Sequence, residues 1–127
     1  MMILYGMEIA KGFNINDRTQ PFTEQILDGI KTEETRKAHS LDSLIGKTVG
    51  IIRTGKGKAV IVGICEIAGY REYRNEKEWR AAYTAHRVAE GSKYDFSGFK
   101  VGYVLRNVRR LEKPVPCPSR GIVIRNI

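Results

Sequence analysis

The chain has 127 residues, 42% of them hydrophobic, and a formal net charge of +8. That length suits one domain over residues 1–127, with one core and no room for two. No apolar run approaches the ~20 residues a membrane-spanning helix needs, and Met1–Glu8 lacks the basic segment of a secretory leader, so no membrane contact and a cytoplasmic location are expected.

The sequence pI near 9.7 favours an anionic partner, because Lys and Arg gain from displacing counterions on nucleic acid. The charge is uneven. From Lys100 to Ile127, seven basic residues face Glu112 alone, giving +6 in the last 28 residues. A solvated basic surface, or a docking site for an acidic protein, are the alternatives to RNA binding. Two cysteines, Cys65 and Cys117, are too few and too far apart for a metal knuckle or a disulfide framework. No metal and no cofactor are expected. Cys65 lies in the apolar run Val60–Cys65, where it reads as a small buried hydrophobe.

In chain order, the apolar start gives way to a polar, turn-rich stretch at 14–21 that ends in Pro21, a residue suited to a helix's first turn. Phe22, Ile26 and Ile30 recur every four residues and predict a short helix, which Gly29 can end in a left-handed conformation. Thr32–Arg36 then reads as extended, so Glu34 and Arg36 share a face. Residues 47–53 and 58–67 are rich in β-branched side chains and are split by Thr54-Gly55-Lys56-Gly57, a hairpin signature. Asn75 with Glu78 three residues on resembles a capping box, and Trp79, Ala82, Tyr83 and His86 mark a second helix over 75–89, ended by Gly91. Residues 99–108 alternate as a strand, Pro114–Pro118 punctuates, and 121–125 forms a last strand. Several short strands with two main helices make an α+β chain, and a small mixed β-barrel would hide the strand edges.

Gly29, Lys31, Glu34 and Arg36 concentrate charge beside an apolar helix. The spacing alone leaves two readings open: a same-face ion pair on an exposed strand, contributing at most about 1 kcal/mol, or a functional cleft. His86, on the apolar stripe, reads as a satisfied, partly buried histidine or as a nucleobase contact or acid/base group. Tyr94, Phe96 and Tyr103 read as core or as stacking platforms, with Tyr94 beside Lys93 the best placed to be exposed.

Gly29-Ile30-Lys31-Thr32-Glu33-Glu34-Thr35-Arg36 resembles the G-x-K-x-x-E-x-R signature of ASCH domains. The resemblance continues through Ala59–Gly63, His86–Glu90, Val101–Leu105, Arg109-Arg110 and Pro114-Val115-Pro116. It implies a PUA-like β-barrel with a cleft for RNA or a nucleoside, lined by the motif. Taken with the residue readings above, the candidate ligand-binding residues are Gly29, Arg36, His86, Tyr94, Arg109 and Arg110. One branch of the family, the small amidohydrolases of N4-acetylcytidine, implies a catalytic set of Lys31 and Glu90 with a threonine. Glu34 stands where that branch carries the threonine, and a carboxylate cannot form the same acyl intermediate. The resemblance thus implies binding first. The alternative is a small hydrolase or ribonuclease using Lys31, Glu34 and Glu90, with a carboxylate activating water and Lys31 stabilising the oxyanion.

Overall fold

The computed structural model describes residues 1–127. Its centre is the expected hairpin: β5 (Thr48–Thr54) and β6 (Val60–Tyr73) pair antiparallel around a turn in which Gly55 and Gly57 both have positive φ. β7 (Lys100–Pro116) pairs antiparallel with β6, and β4 (Glu33–Arg36) adds to the far edge of β7. On the other side β3 (Lys11–Asn16) runs parallel to β5, and β8 (Ile124–Asn126) closes that flank antiparallel to β3. The six-stranded order is therefore β4-β7-β6-β5-β3-β8. A separate two-stranded hairpin, β1 (Met2–Leu4) with β2 (Met7–Ile9), turns at Tyr5 and Gly6.

The α+β class agrees with the sequence, but the expected barrel does not close. No ladder joins β4 to β8, which remain the two edges. What the sheet does instead is curl. The β6–β7 ladder carries three register shifts, at Ile61/Gly63, Ile64/Glu66 and Ile67/Gly69, and each such bulge adds local bend and twist. Gly63 shows why one bulge needs glycine: a Cβ there would lie 2.6 Å from Leu27 Cδ2 and 2.7 Å from the Arg109 carbonyl. The curl brings β4 opposite β3, and the Arg36 guanidinium crosses the gap to donate to the Asn14 carbonyl at 2.6 Å.

Both faces of the sheet are covered. Val49, Ile51, Val62 and Ile67 join Phe22, Ile26 and Trp79 in a core of 17 buried residues inside the curl. Ile52, Ile61 and Ile64 face the other way and pack with Leu4, Ile9, Leu111 and Ile127 beneath the β1–β2 hairpin. Two-sided burial explains why these strands read as continuous apolar runs rather than alternations.

The helices are shorter than expected. α1 spans Phe22–Leu27, with Gly29 at φ +77 just past its end, as the sequence indicates. The second helix breaks in two, α2 (Glu76–Ala81) and α3 (Tyr83–His86), and ends at Arg87 in the left-handed region rather than at Gly91. Its start is as expected, with the Asn75 side chain accepting from the Glu78 N–H at 2.9 Å. β7 runs on to Pro116, beyond the expected end at 108. Prolines are tolerated there because β4 pairs only with residues 101–104, leaving the later part of that edge free of donor demands. No helix is long and apolar enough to cross a membrane.

Candidate nucleoside or RNA cleft

The gap between β4 and β3 forms a cleft of about 320 Å³. Its foot is set by the chain leaving α1. The Ile30 and Lys31 N–H groups both donate to the Gln25 carbonyl, and the Thr32 N–H donates to the Ala85 carbonyl, so Lys31 is fixed where α1, α3 and β4 meet. Lys31 is 1% exposed. Its ammonium donates to the His86 carbonyl at 2.5 Å, stands 3.7 Å from Glu34 Oε1 and lies 4.9 Å from the centre of the Phe22 ring. Burial pulls the Lys31 pKa down, and the neighbouring Glu34 carboxylate opposes that shift.

Glu34 is held from both sides. Its Oε2 accepts from Arg36 at 2.9 Å, so Lys31, Glu34 and Arg36 form a buried cation–carboxylate–cation row. Period-two alternation along β4 puts Glu34 and Arg36 on one face as expected. The pair is not an exposed one, since Glu34 is 7% exposed. The Arg36 Nε is buried in this row without a partner.

The cleft walls come from several elements. β3 contributes Asn14, Ile15 and Asn16; Thr54 and Ile122 flank them; Lys37 continues from β4; Val88, Tyr94 and Lys100 come from the segment leading into β7. Asp95 organises that segment. It accepts from the Trp79 indole at 2.9 Å, from both terminal nitrogens of Arg80 at 2.6 and 2.9 Å, and from the Gly91 N–H at 2.7 Å. These donors hold its carboxyl well below the usual carboxylate range. The result is a fixed wall that presents Tyr94, half-buried edge-on against Phe22 with ring centres 6.0 Å apart.

Among the residues singled out from sequence, Lys31, Glu34, Arg36 and Tyr94 meet in this cleft. Gly29 shapes the turn that delivers Lys31 and does not line the cleft. His86 is a support instead of a contact. One ring nitrogen pairs with the Trp79 carbonyl at 2.9 Å, the other accepts from the Val88 N–H at 2.9 Å, and the ring stacks on Trp79 at 3.7 Å. With both nitrogens engaged and the ring 1% exposed, burial depresses its pKa and leaves nothing to offer a ligand. Glu90 is exposed and faces Arg80 at 3.5 Å, outside the cleft. Arg109 and Arg110 also lie elsewhere: Arg109 sits over the Tyr5 ring at 4.1 Å, and Arg110 pairs with Glu24 at 2.9 Å and Asp28 at 2.6 Å. The basic last quarter is thus dispersed, with Arg106 likewise neutralised by Glu66.

Cys65 is buried, and desolvation pushes its thiol up to about 12, which fits a passive core role. His39 bridges Asp42 at 3.1 Å and Glu72 at 2.7 Å. Tyr103 is core, its hydroxyl donating to Asp42 at 2.6 Å.

Sequence reasoning misses Asn14, Lys37 and Lys100 as cleft residues. Asn14 follows from no local pattern, since β3 sits in a stretch that reads as turn. Lys100 carries a faint signal: a charged residue at the start of a strand whose next residues are all buried.

The ASCH domain profile matches residues 19–114. The chain belongs to the ASCH domain family. The solved structures bear out the fold. A serine-to-alanine mutant of ZmASCH from Zymomonas mobilis matches with a TM-score of 0.70 at 15% identity, covering 91% of this chain and 87% of that one. A tyrosine-to-phenylalanine mutant of the same protein matches at 0.65 and 18% identity, covering 83% and 75%. The unmutated ASCH from the same organism matches at 0.62 and 16% identity, covering 83% and 73%. No curated protein matches. At these identities the likeness carries the ASCH fold alone.

Proposed function

We propose that this ASCH domain binds RNA or a modified nucleoside in the cleft between β4 and β3. The observation that carries the reading is the buried Lys31–Glu34–Arg36 row at the foot of a cleft with Tyr94 in its wall. A cleft of about 320 Å³ is at the small end for ligand sites, suited to one nucleoside or one flipped-out nucleotide rather than a length of strand. Glu34, fixed between two cations, can accept from an exocyclic amine or ring N–H. The unpartnered Arg36 Nε can donate to a base carbonyl. Tyr94 offers a ring for stacking, a contact worth roughly 1 to 3 kcal/mol per base. Titration of the protein with the four nucleosides and with a short single-stranded RNA is the test. Binding is expected to weaken about tenfold in Tyr94→Ala and to be lost in Arg36→Ala. Binding that is absent at low salt, or unchanged in both variants, contradicts the reading.

A second reading rests on Lys31 and Glu34 as an acid–base pair 3.7 Å apart, with the ammonium depressed by burial. Such a pair suits hydrolysis of an acylated cytidine or of RNA, with Glu34 activating water and Lys31 steadying the developing oxyanion. Glu90 does not join them, being exposed beside Arg80. Incubation with N4-acetylcytidine and with mixed RNA, followed by chromatography, tests it. Turnover abolished by Glu34→Gln supports hydrolysis, and no turnover of either substrate removes it.

A further inference from the structure

Four cations line the cleft, Lys31, Arg36, Lys37 and Lys100, against the single carboxylate of Glu34. That carboxylate is already shared between Lys31 and Arg36. Lys37 and Lys100 are left without a counter-charge in reach of a salt bridge or hydrogen bond, although Lys100 is 2% exposed. The face of the Trp79 ring lies 5.8 Å from the ammonium.

The register explains how the two lysines come together. β4 pairs with β7 from Glu33↔Val104 to Arg36↔Val101, and Lys37 and Lys100 are the next residues on each chain beyond that last pair. Like charges brought close together in this way are destabilising. Burial first, and the neighbouring Lys37 charge after it, lower the Lys100 pKa, while Asp95 and Glu34 oppose that shift. A buried, unpaired ammonium facing a second ammonium is costly to maintain for structure alone. Elsewhere in the molecule buried charges are paired: Glu33 is capped by Tyr73 and Arg71, and Asp17 by Thr23. Lys100 is the exception among them, with the exposed Lys37 beside it in the cleft lining.

We propose that Lys37 and Lys100 form an anion subsite that takes a phosphate group of the ligand, so that the cleft selects a nucleotide over the neutral nucleoside. The inference rests on the nucleoside or RNA reading of the cleft and names the chemical class of its ligand. With the base at Glu34 and Arg36, the phosphate sits between two ammonium groups that are otherwise mutually repelling, and its binding removes that repulsion. Two ammonium groups act as point charges rather than as a planar fork, so the subsite accepts the monoester of a mononucleotide or the diester of a strand.

The test compares affinities for cytidine, cytidine 5′-monophosphate, the dinucleotide CpC and inorganic phosphate. It uses the unaltered protein and the variants Lys100→Met and Lys37→Ala. Lys100→Met keeps the buried stem without the charge, and Lys37 is exposed, so neither is expected to disturb folding; thermal melting checks this. The monophosphate is expected to bind at least tenfold more tightly than cytidine. Either variant should reduce that preference, read as the ratio of the two affinities, severalfold. CpC matching the monophosphate identifies a strand phosphate as the natural occupant, and CpC falling to the level of cytidine identifies a terminal one. Equal affinity for cytidine and its monophosphate, or a preference that survives the double variant, overturns the subsite while leaving the nucleoside reading intact. Phosphate binding that depends on both lysines, with no nucleoside contribution, keeps the subsite and overturns that reading. No binding of any probe overturns both.

Discussion

Glu34 carries more of this structure than its single negative charge suggests, because it is the only anion between the buried ammonium of Lys31 and the guanidinium of Arg36. Removing one partner of a buried charge network leaves the others uncompensated, typically at about 3 to 5 kcal/mol. Glu34→Ala is therefore expected to lower the unfolding free energy by about 3 kcal/mol in urea, and a loss below about 1 kcal/mol would show that water reaches the row freely. The same logic separates the two thiols. Cys65 is enclosed with its thiol held up to about 12, whereas Cys117 is partly exposed. Iodoacetamide at neutral pH should label Cys117 in the folded protein and label Cys65 only after denaturation. Labelling of Cys65 in the native state would contradict the core packing described above.

At the scale of elements, the short helices depend on their ends. Asn75→Ala removes the acceptor for the Glu78 N–H and is expected to cost about 1 kcal/mol in chemical denaturation. The 37–47 connection is tied to β6 through His39, which bridges Asp42 and Glu72. Those carboxylates, Glu72 first, raise the His39 pKa above 6.5; His39 in turn lowers that of Glu72, and Asp42 is lowered by the Tyr103 hydroxyl first and then by His39. A histidine whose folded pKa lies above its unfolded one stabilises fully below about pH 6.5, and that contribution is lost as pH rises through the folded value. The stability difference between the protein and His39→Gln should therefore shrink as pH rises from about 6 through the folded pKa. A difference that is constant or grows over that range contradicts the bridge.

Much of this level is legible in the amino-acid order, and the failures have physical causes. The hairpin at 54–57, the helix end at Gly29 and the shared face of Glu34 and Arg36 all follow from local chemistry, so the sequence suffices for them. The 75–89 helix breaks because tertiary contacts take over its carbonyls: the Trp79 carbonyl pairs with the His86 ring, and Arg87 turns left-handed. β3 is hidden because Asn14 and Asn16 look like turn residues, and only pairing with β5 and β8 makes the segment a strand. The site role for Glu90 comes from resemblance to one branch of the family and that for His86 from its place on the helix stripe, and packing gives both residues other work.

For the whole molecule, the open but curled sheet is what creates the site. Closing β4 onto β8 would fill the gap that Arg36 spans on its way to the Asn14 carbonyl. The net charge of +8 is divided, with Arg106 and Arg110 neutralised on the outer surface and Lys37 and Lys100 left free in the cleft. RNA affinity should therefore fall with salt, but with a slope of only about two phosphate contacts, far short of the charge count. A slope of about eight would instead place binding on the dispersed outer arginines.

The central claim is the location of binding, and amide chemical-shift mapping during titration with cytidine 5′-monophosphate tests it most directly. Shifts are expected to cluster at Asn14, Thr35, Lys37, Val88, Tyr94 and Lys100, which line the cleft. Shifts confined to Arg109, Arg110 and the outer face of α1, or none at saturating ligand, would contradict it.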